Sequence, residues 1–264
     1  MNQSLQGQWA LITGASSGFG REFCALLAEQ GCHLILAARR TAPMQELAQQ
    51  LQSKHGIRTH IIGIDLAAPG AAIRLKAETD AAGLQVGVLI NNAGVGMYGE
   101  FLEQSLPAVQ QMIQLNVLTL MELTHLYGQA MKQRGSGRIL LLASIAGFQS
   151  LPTYAAYCGS KAFVLHFGEA LYQEMRPHGV QVTVLAPGIS ETAFFEVAGQ
   201  RDSWYHRLVR MQARPVAAAG LQALMKGRPV ILPGWLNRLT VFVFRFLPRE
   251  WQSRLAGRTM RQHD

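Results

Sequence analysis

A chain of 264 residues that is 49% hydrophobic and only 15% charged has enough apolar side chain for a substantial core, which excludes disorder and suits one large α/β domain or two small ones. No run of about 18 apolar residues occurs, so no membrane span is expected. The formal charge of +8 is uneven: residues 1–200 hold 12 Lys and Arg against 13 Asp and Glu, and residues 201–264 hold 12 against 3, which points to a local anionic partner and excludes nucleic-acid binding over the whole surface.

The N-terminal residues Met1–Gln8 lack the basic start and apolar stretch of a secretory signal. Cys24, Cys32 and Cys158 make no metal or disulfide spacing. A reducing, cytoplasmic-type compartment and no metal site are expected. Cys158 reads as a packing residue, because no histidine stands near it in the pattern.

Trp9–Thr13 predicts a first strand. It leads into Thr13-Gly14-Ala15-Ser16-Ser17-Gly18-Phe19-Gly20, and a helix then runs to about Gln30 before Gly31. Glycines spaced Gly-x-x-x-Gly-x-Gly let the chain turn tightly and approach a pyrophosphate. The helix behind them offers unpaired amides and a positive dipole end. Placed between a first strand and a first helix, this loop predicts a dinucleotide site.

The second predicted strand is Cys32–Ala37, and Ala37-Ala38-Arg39-Arg40 follows. A site for NAD(H) in such an architecture would place a carboxylate here, on the adenosine ribose. Arginine can fork onto a 2′-phosphate, with Ser16 or Ser17 adding hydroxyl donors. The residues therefore favour NADP(H) over NAD(H), with Arg39 the nearer contact, and Arg39-Arg40 as a solvated helix start is the alternative. A helix from Pro43 to about Gly56 and a strand at Thr59–Ile64 come next. Asp65 then stands either as an acceptor for the adenine amino group or as a turn residue.

Further on, the pattern predicts a helix over Ala71–Ala82, a strand over Val86–Ile90, one long helix from Pro107 to Lys132 and a strand over Arg138–Ala143. The Tyr157 helix continues to about Arg176, followed by strands at Val180–Ala186 and Pro229–Leu232. This alternation predicts an α/β fold with a doubly wound parallel sheet of Rossmann type, whose crevice lies at the strand carboxyl ends. Tyr157 and Lys161 are four residues apart on one helix, so they share a face. A fixed ammonium beside a phenol is expected to lower its pKa from about 10. With Ser144 at a strand end, the three can move a proton to or from a carbonyl or alcohol oxygen.

Together, Thr13-Gly14-x-x-x-Gly18-x-Gly20, Asp65, Asn91-Asn92-Ala93-Gly94, Asn116, Ser144, Tyr157-x-x-x-Lys161 and Pro187-Gly188-x-x-x-Thr192 resemble the short-chain dehydrogenase/reductase family, in its single-domain form of roughly 250 residues, over about residues 7–235. The resemblance implies Tyr157 as general acid in reduction and base in oxidation. It implies Lys161 lowering the tyrosine pKa and holding the nicotinamide ribose, Ser144 on the substrate oxygen, and Asn116 holding a water in a proton relay. An Asn116 that bonds its own helix backbone is the alternative. For the cofactor it implies the loop Gly14, Ser16, Ser17, Gly18, Phe19 and Gly20, with Asp65 and Leu66 at the adenine. Asn92, Ala93 and Gly94 would line the riboses, with Pro187, Gly188 and Ile189 at the carboxamide and Thr192 at the carboxamide or the phosphates. One departure from the pattern is Val86-Gly87-Val88, where the family often has an aspartate. A homo-oligomer, dimer or tetramer, is also implied.

Aromatic residues gather where substrate would enter. Phe194, Phe195, Val197, Trp204 and Tyr205 follow Pro187, while Phe148 and Tyr154 flank the catalytic positions. They can line a pocket for a hydrophobic carbonyl or alcohol, or pack a loop onto the body. Residues 1–234 form the expected catalytic unit, with its substrate loop at about 188–215, and 235–264 form a basic amphipathic extension. In that extension Trp235, Leu239, Phe242 and Phe246 share a helical face before Pro248. It can lie on an anionic membrane surface, giving peripheral attachment, or pack on a second subunit or over the substrate entrance.

Overall fold

Runs such as Leu34–Ala38 and Ile139–Leu142 are apolar on consecutive residues because both faces of their sheet are covered. In the computed structural model, which describes residues 4–190 and 210–260, these runs pair as a parallel sheet. Its strands are β1 (Trp9–Thr13), β2 (His33–Ala38), β3 (Thr59–Gly63), β4 (Val86–Asn91), β5 (Gly137–Leu142), β6 (Val180–Leu185) and β7 (Val230–Ile231). The order is β3-β2-β1-β4-β5-β6-β7, and every pairing is parallel. Order reverses between β1 and β4, the switch point beside which the crevice of such a sheet opens.

Successive side chains point to opposite faces, and the core divides accordingly. Ile12, Leu34, Leu36 and Ile90 pack with Phe23 and Leu27 of α1 (Gly18–Glu29), Met44 of α2 (Ala42–His55) and Leu221 of α7 (Ala213–Met225). Leu11, Ile35 and Leu89 pack on the other face, with Leu75 of α3 (Ala71–Ala81), Leu123 of α5 (Leu120–Arg134) and Val164 of α6 (Ala155–Met175). An ion pair in which Arg214 Nη2 reaches both carboxylate oxygens of Glu29, at 2.7 and 2.9 Å, also joins α7 to α1. The α7 helix has no counterpart among the predicted elements, although Val216, Ala217, Gly220, Leu221 and Leu224 mark its buried face.

The long helix expected over 107–132 is interrupted. α4 (Leu106–Ile113) passes into a π-helical turn at Gln114–Thr119 before α5 begins. Two further helices close the described chain, α8 (Trp235–Phe244) and α9 (Arg249–Met260).

Candidate active site

The β1–α1 loop is shaped by close approach. Gly14 has φ +68°, and a Cβ there would lie 2.9 Å from the Asn92 side-chain amide. At Gly20 a Cβ would fall 2.1 Å from the Gly14 carbonyl oxygen, so only hydrogen fits between the helix and the loop. The amide of Asn92 donates to the Thr13 carbonyl at 2.8 Å, and the Thr13 hydroxyl accepts from the backbone of Asn92 and Ala93 at 3.0 Å each. These bonds lock the end of β4 to the end of β1. Ser17 is the N-cap of α1 but makes no capping bond, which leaves the first amides of the helix for an anion. Ser16 is half-buried and Ser17 exposed beside them, while Phe19 packs against the core.

Arg39 and Arg40 follow β2 directly, and both are exposed. Asp65 holds the Ala67 amide at 3.0 Å through one carboxylate oxygen, the turn role open to it from sequence. Leu66 is buried, and its carbonyl accepts from Thr119 at 2.8 Å.

Across the switch point, four side chains converge. Ser144 ends the turn out of β5; its hydroxyl accepts from the Ala146 amide at 3.1 Å and is hydrogen-bonded to the Tyr157 hydroxyl. Tyr157 sits in the first turns of α6, buried. Lys161, one turn on, is buried with its Nζ 5.8 Å from the Tyr157 ring centre and donating to the Leu142 carbonyl at 2.8 Å. Asn116 accepts from the Val95 amide at 3.0 Å and donates to the Val95 carbonyl at 2.9 Å. Its amide thus spans a separate strand-end loop, not its own helix. The π turn is what differs from the long regular helix expected there, and such turns recur at functional sites. A Cβ on Gly94 would be 3.1 Å from Asn116 Oδ1 and 3.5 Å from Lys161 Nζ, so both polar ends face that loop.

The electrostatics depart from one expectation. Burial pushes the Tyr157 phenol well above its ordinary value, and the Ser144 hydrogen bond offsets this only partly. Burial also pushes the Lys161 ammonium down to about 8. Desolvation outweighs the lowering anticipated from Lys161, because each charged form is held away from water. Tyr157 is therefore a protonated donor near neutrality. Cys158 is pushed up to about 11 by burial, as suits a packing thiol.

Sequence reasoning missed two participants. Ser160 donates to the Tyr157 carbonyl at 2.7 Å and receives the Asn116 amide at 3.3 Å, fastening the π turn to α6. Tyr98 has its ring centre 5.5 Å from that of Tyr154, which lies 5.9 Å from Tyr157. Met97 and Val95 join that cluster. The signal for Tyr98 was its place just past Asn91-Asn92-Ala93-Gly94, in a loop beyond a strand carboxyl end. Tyr154 lies beside Tyr157, and Phe148 is partly buried against the core on the α5 and α6 face of the sheet. Pro187 is buried and its carbonyl accepts from the Ile145 amide at 2.9 Å, which sets the loop of Gly188 and Ile189 beside Ser144. Thr192, Phe194, Phe195, Val197, Trp204 and Tyr205 lie outside the described residues.

The model of the short chain dehydrogenase family matches residues 8–202. The chain belongs to that family. A very-long-chain 3-oxoacyl-CoA reductase from Podospora anserina is 34% identical over 195 residues, covering 73% of this chain and 57% of the relative. The chain thus spans little more than half of that reductase. Among solved structures, a short-chain dehydrogenase from Sphingobium yanoikuyae in complex with NADPH superposes with TM-score 0.80 at 26% identity, over 92% of this chain and 97% of the other. An alcohol dehydrogenase from Comamonas testosteroni specific for bulky-bulky ketones gives TM-score 0.75 at 25% identity, over 92% and 95%. Family membership and the Rossmann-type sheet were both legible in the motifs.

Proposed function

We propose that this short-chain dehydrogenase is an NADP(H)-dependent oxidoreductase that interconverts a carbonyl and an alcohol on an apolar, acyl-chain-bearing substrate, 3-oxoacyl thioesters being the leading class. The observation that carries the reading is the hydrogen-bonded Ser144–Tyr157 pair, with Lys161 one helical turn away, facing the glycine loop across the switch point.

The residues fit the cofactor. Uncapped amides of α1 meet a pyrophosphate, and Gly14 and Gly20 leave no Cβ in the way. Arg39, with Arg40 and Ser16 or Ser17, would take the 2′-phosphate. Asp65 and Leu66 would border the adenine, and Asn92, Ala93 and Gly94 would line the riboses. Gly188 and Ile189 would border the carboxamide. The bound cofactor supplies the hydride.

The protein's own residues orient the substrate and handle the proton. Ser144 holds the carbonyl oxygen beside the Tyr157 hydroxyl, which donates its proton there as the alcohol forms. Lys161 and Asn116 resupply that proton from solvent. The wall of Val95, Met97, Tyr98 and Tyr154 suits an apolar chain and excludes water. The names of the relatives support the acyl and bulky-ketone classes.

Paired NADPH and NADH titrations test the cofactor. Arg39→Ala should cost NADPH roughly tenfold or more in affinity and leave NADH unchanged, since a charged hydrogen bond is worth about 1.5–3 kcal/mol. Equal loss for both overturns the 2′-phosphate assignment. NADPH oxidation with 3-oxoacyl thioesters, bulky ketones and sugars tests the substrate class. Cofactor binding without turnover on any of them would favour a nucleotide-responsive scaffold.

A further inference from the structure

The helix pair α8–α9 carries its large apolar side chains outward. Trp235 is 71% exposed, Leu239 49%, Phe242 60%, Phe246 72% and Trp251 59%. Trp235, Leu239 and Phe242 recur at helical spacing on α8; the helix stops at Phe244, short of the helical face expected to run to Phe246, and Phe246 in the turn that follows sets its ring edge to face on Phe242 at 5.2 Å. α8 has no buried residue. Single exposed leucines are ordinary surface, but a continuous aromatic stripe marks an interaction site.

Charge identifies the partner. Residues 235–260 hold Arg238, Arg245, Arg249, Arg254 and Arg258 against Glu250 alone. Arg245, Arg249 and Arg254 are exposed and join no ion pair among the described residues. A second copy placed symmetrically on this face would set arginine against arginine. An anionic lipid surface would instead take the apolar stripe into the boundary between headgroups and acyl chains, and would meet the arginines with phosphate. Among the described residues no helix is long and apolar enough to cross a membrane.

The same helices are built onto loops of the site. A Cβ on Gly188 would lie 2.5 Å from the Asn237 amide, which is fixed by its 2.8 Å bond to the Pro233 carbonyl. Gly257 of α9 sits against Pro152, with a Cβ 3.0 Å from the proline ring, two residues before Tyr154. We propose that α8–α9 docks flat on an anionic lipid bilayer, with the loops of Gly188 and Pro152 next to the membrane. The proposal stands apart from the chemistry inferred above.

Flotation of the full-length protein tests it, using phosphatidylcholine vesicles with and without phosphatidylglycerol. The intact protein should float only with the mixed vesicles, and less so at high salt. F242E/F246E and R245E/R249E should each lower binding at least about tenfold while NADPH still binds, which reports that they fold. No flotation of the intact protein with anionic vesicles overturns the proposal, as does binding that both variants retain. A dimer by sedimentation that F242E/F246E converts to monomer also overturns it, assigning the stripe to a second copy. Flotation without NADPH binding by the intact protein upholds lipid docking and counts against the proposed chemistry.

Discussion

Tyr157 and Lys161 are both buried, and burial acts on them in opposite directions: it keeps the phenol protonated and makes the ammonium easier to deprotonate. A protonated tyrosine bonded to Ser144 suits proton donation to a carbonyl oxygen, the reductive direction. Tyr157→Phe should therefore lower turnover by about 10²–10⁴ while NADPH affinity holds; equal activity would move the proton donor elsewhere. Lys161 carries a stability signature as well. Below about pH 8 it is charged in both folded and unfolded chains, and the fold bears the cost of a buried ammonium. Between about 8 and its ordinary 10.5 the folded chain has released the proton and the unfolded chain has not, so stability rises with pH. Comparing wild type with Lys161→Met by urea unfolding cancels the other groups. The wild type should gain on the variant across that window, and a flat difference would mean that Lys161 is not held in a desolvated place.

At the scale of elements, two contacts decide whether the site assembles. The first turn of α1 lies so close to the Gly14 carbonyl that Gly20→Ala must push backbone against backbone. Overpacking of this kind costs about 1–3 kcal/mol, and NADPH affinity should fall with it. Thermal unfolding with and without NADPH checks both, and an unshifted midpoint with normal binding would show that the loop yields. The second contact is the π turn. Asn116→Ala strips the part-buried Val95 amide and carbonyl of their partner, at about 1 kcal/mol for each group left to water. A lowered urea midpoint with lost turnover is expected; full stability would mean that the Val95 loop finds other partners.

Across the whole molecule, the C-terminal helices share a boundary with the site, because Asn237 fills the space beside Gly188. Gly188→Ala forces that amide away from the Pro233 carbonyl. Limited proteolysis should then cut within α8 or α9 sooner than in the wild type. An unchanged digestion pattern would show that these helices are anchored elsewhere. The charge map fits the same division: the body through residue 200 is near neutral, and the positive charge lies beyond it.

Some of this was fixed by local chemistry and is legible without a structure. Consecutive apolar residues announce strands covered on both faces, glycines announce the turn into α1, and a tyrosine four residues before a lysine announces a shared helix face. Arg39 and Arg40 were readable for the same reason, since their position after β2 depends only on where the strand stops. Spatial proximity was not readable. The Asn116 amide meets Val95 across 21 residues, Tyr98 meets Tyr154 from another loop, and Asn237 meets Gly188 from the far end of the chain. The direction of the Tyr157 shift also required the fold. A neighbouring lysine predicts a lower pKa, but desolvation depends on everything packed around the phenol, and only the tertiary structure supplies that.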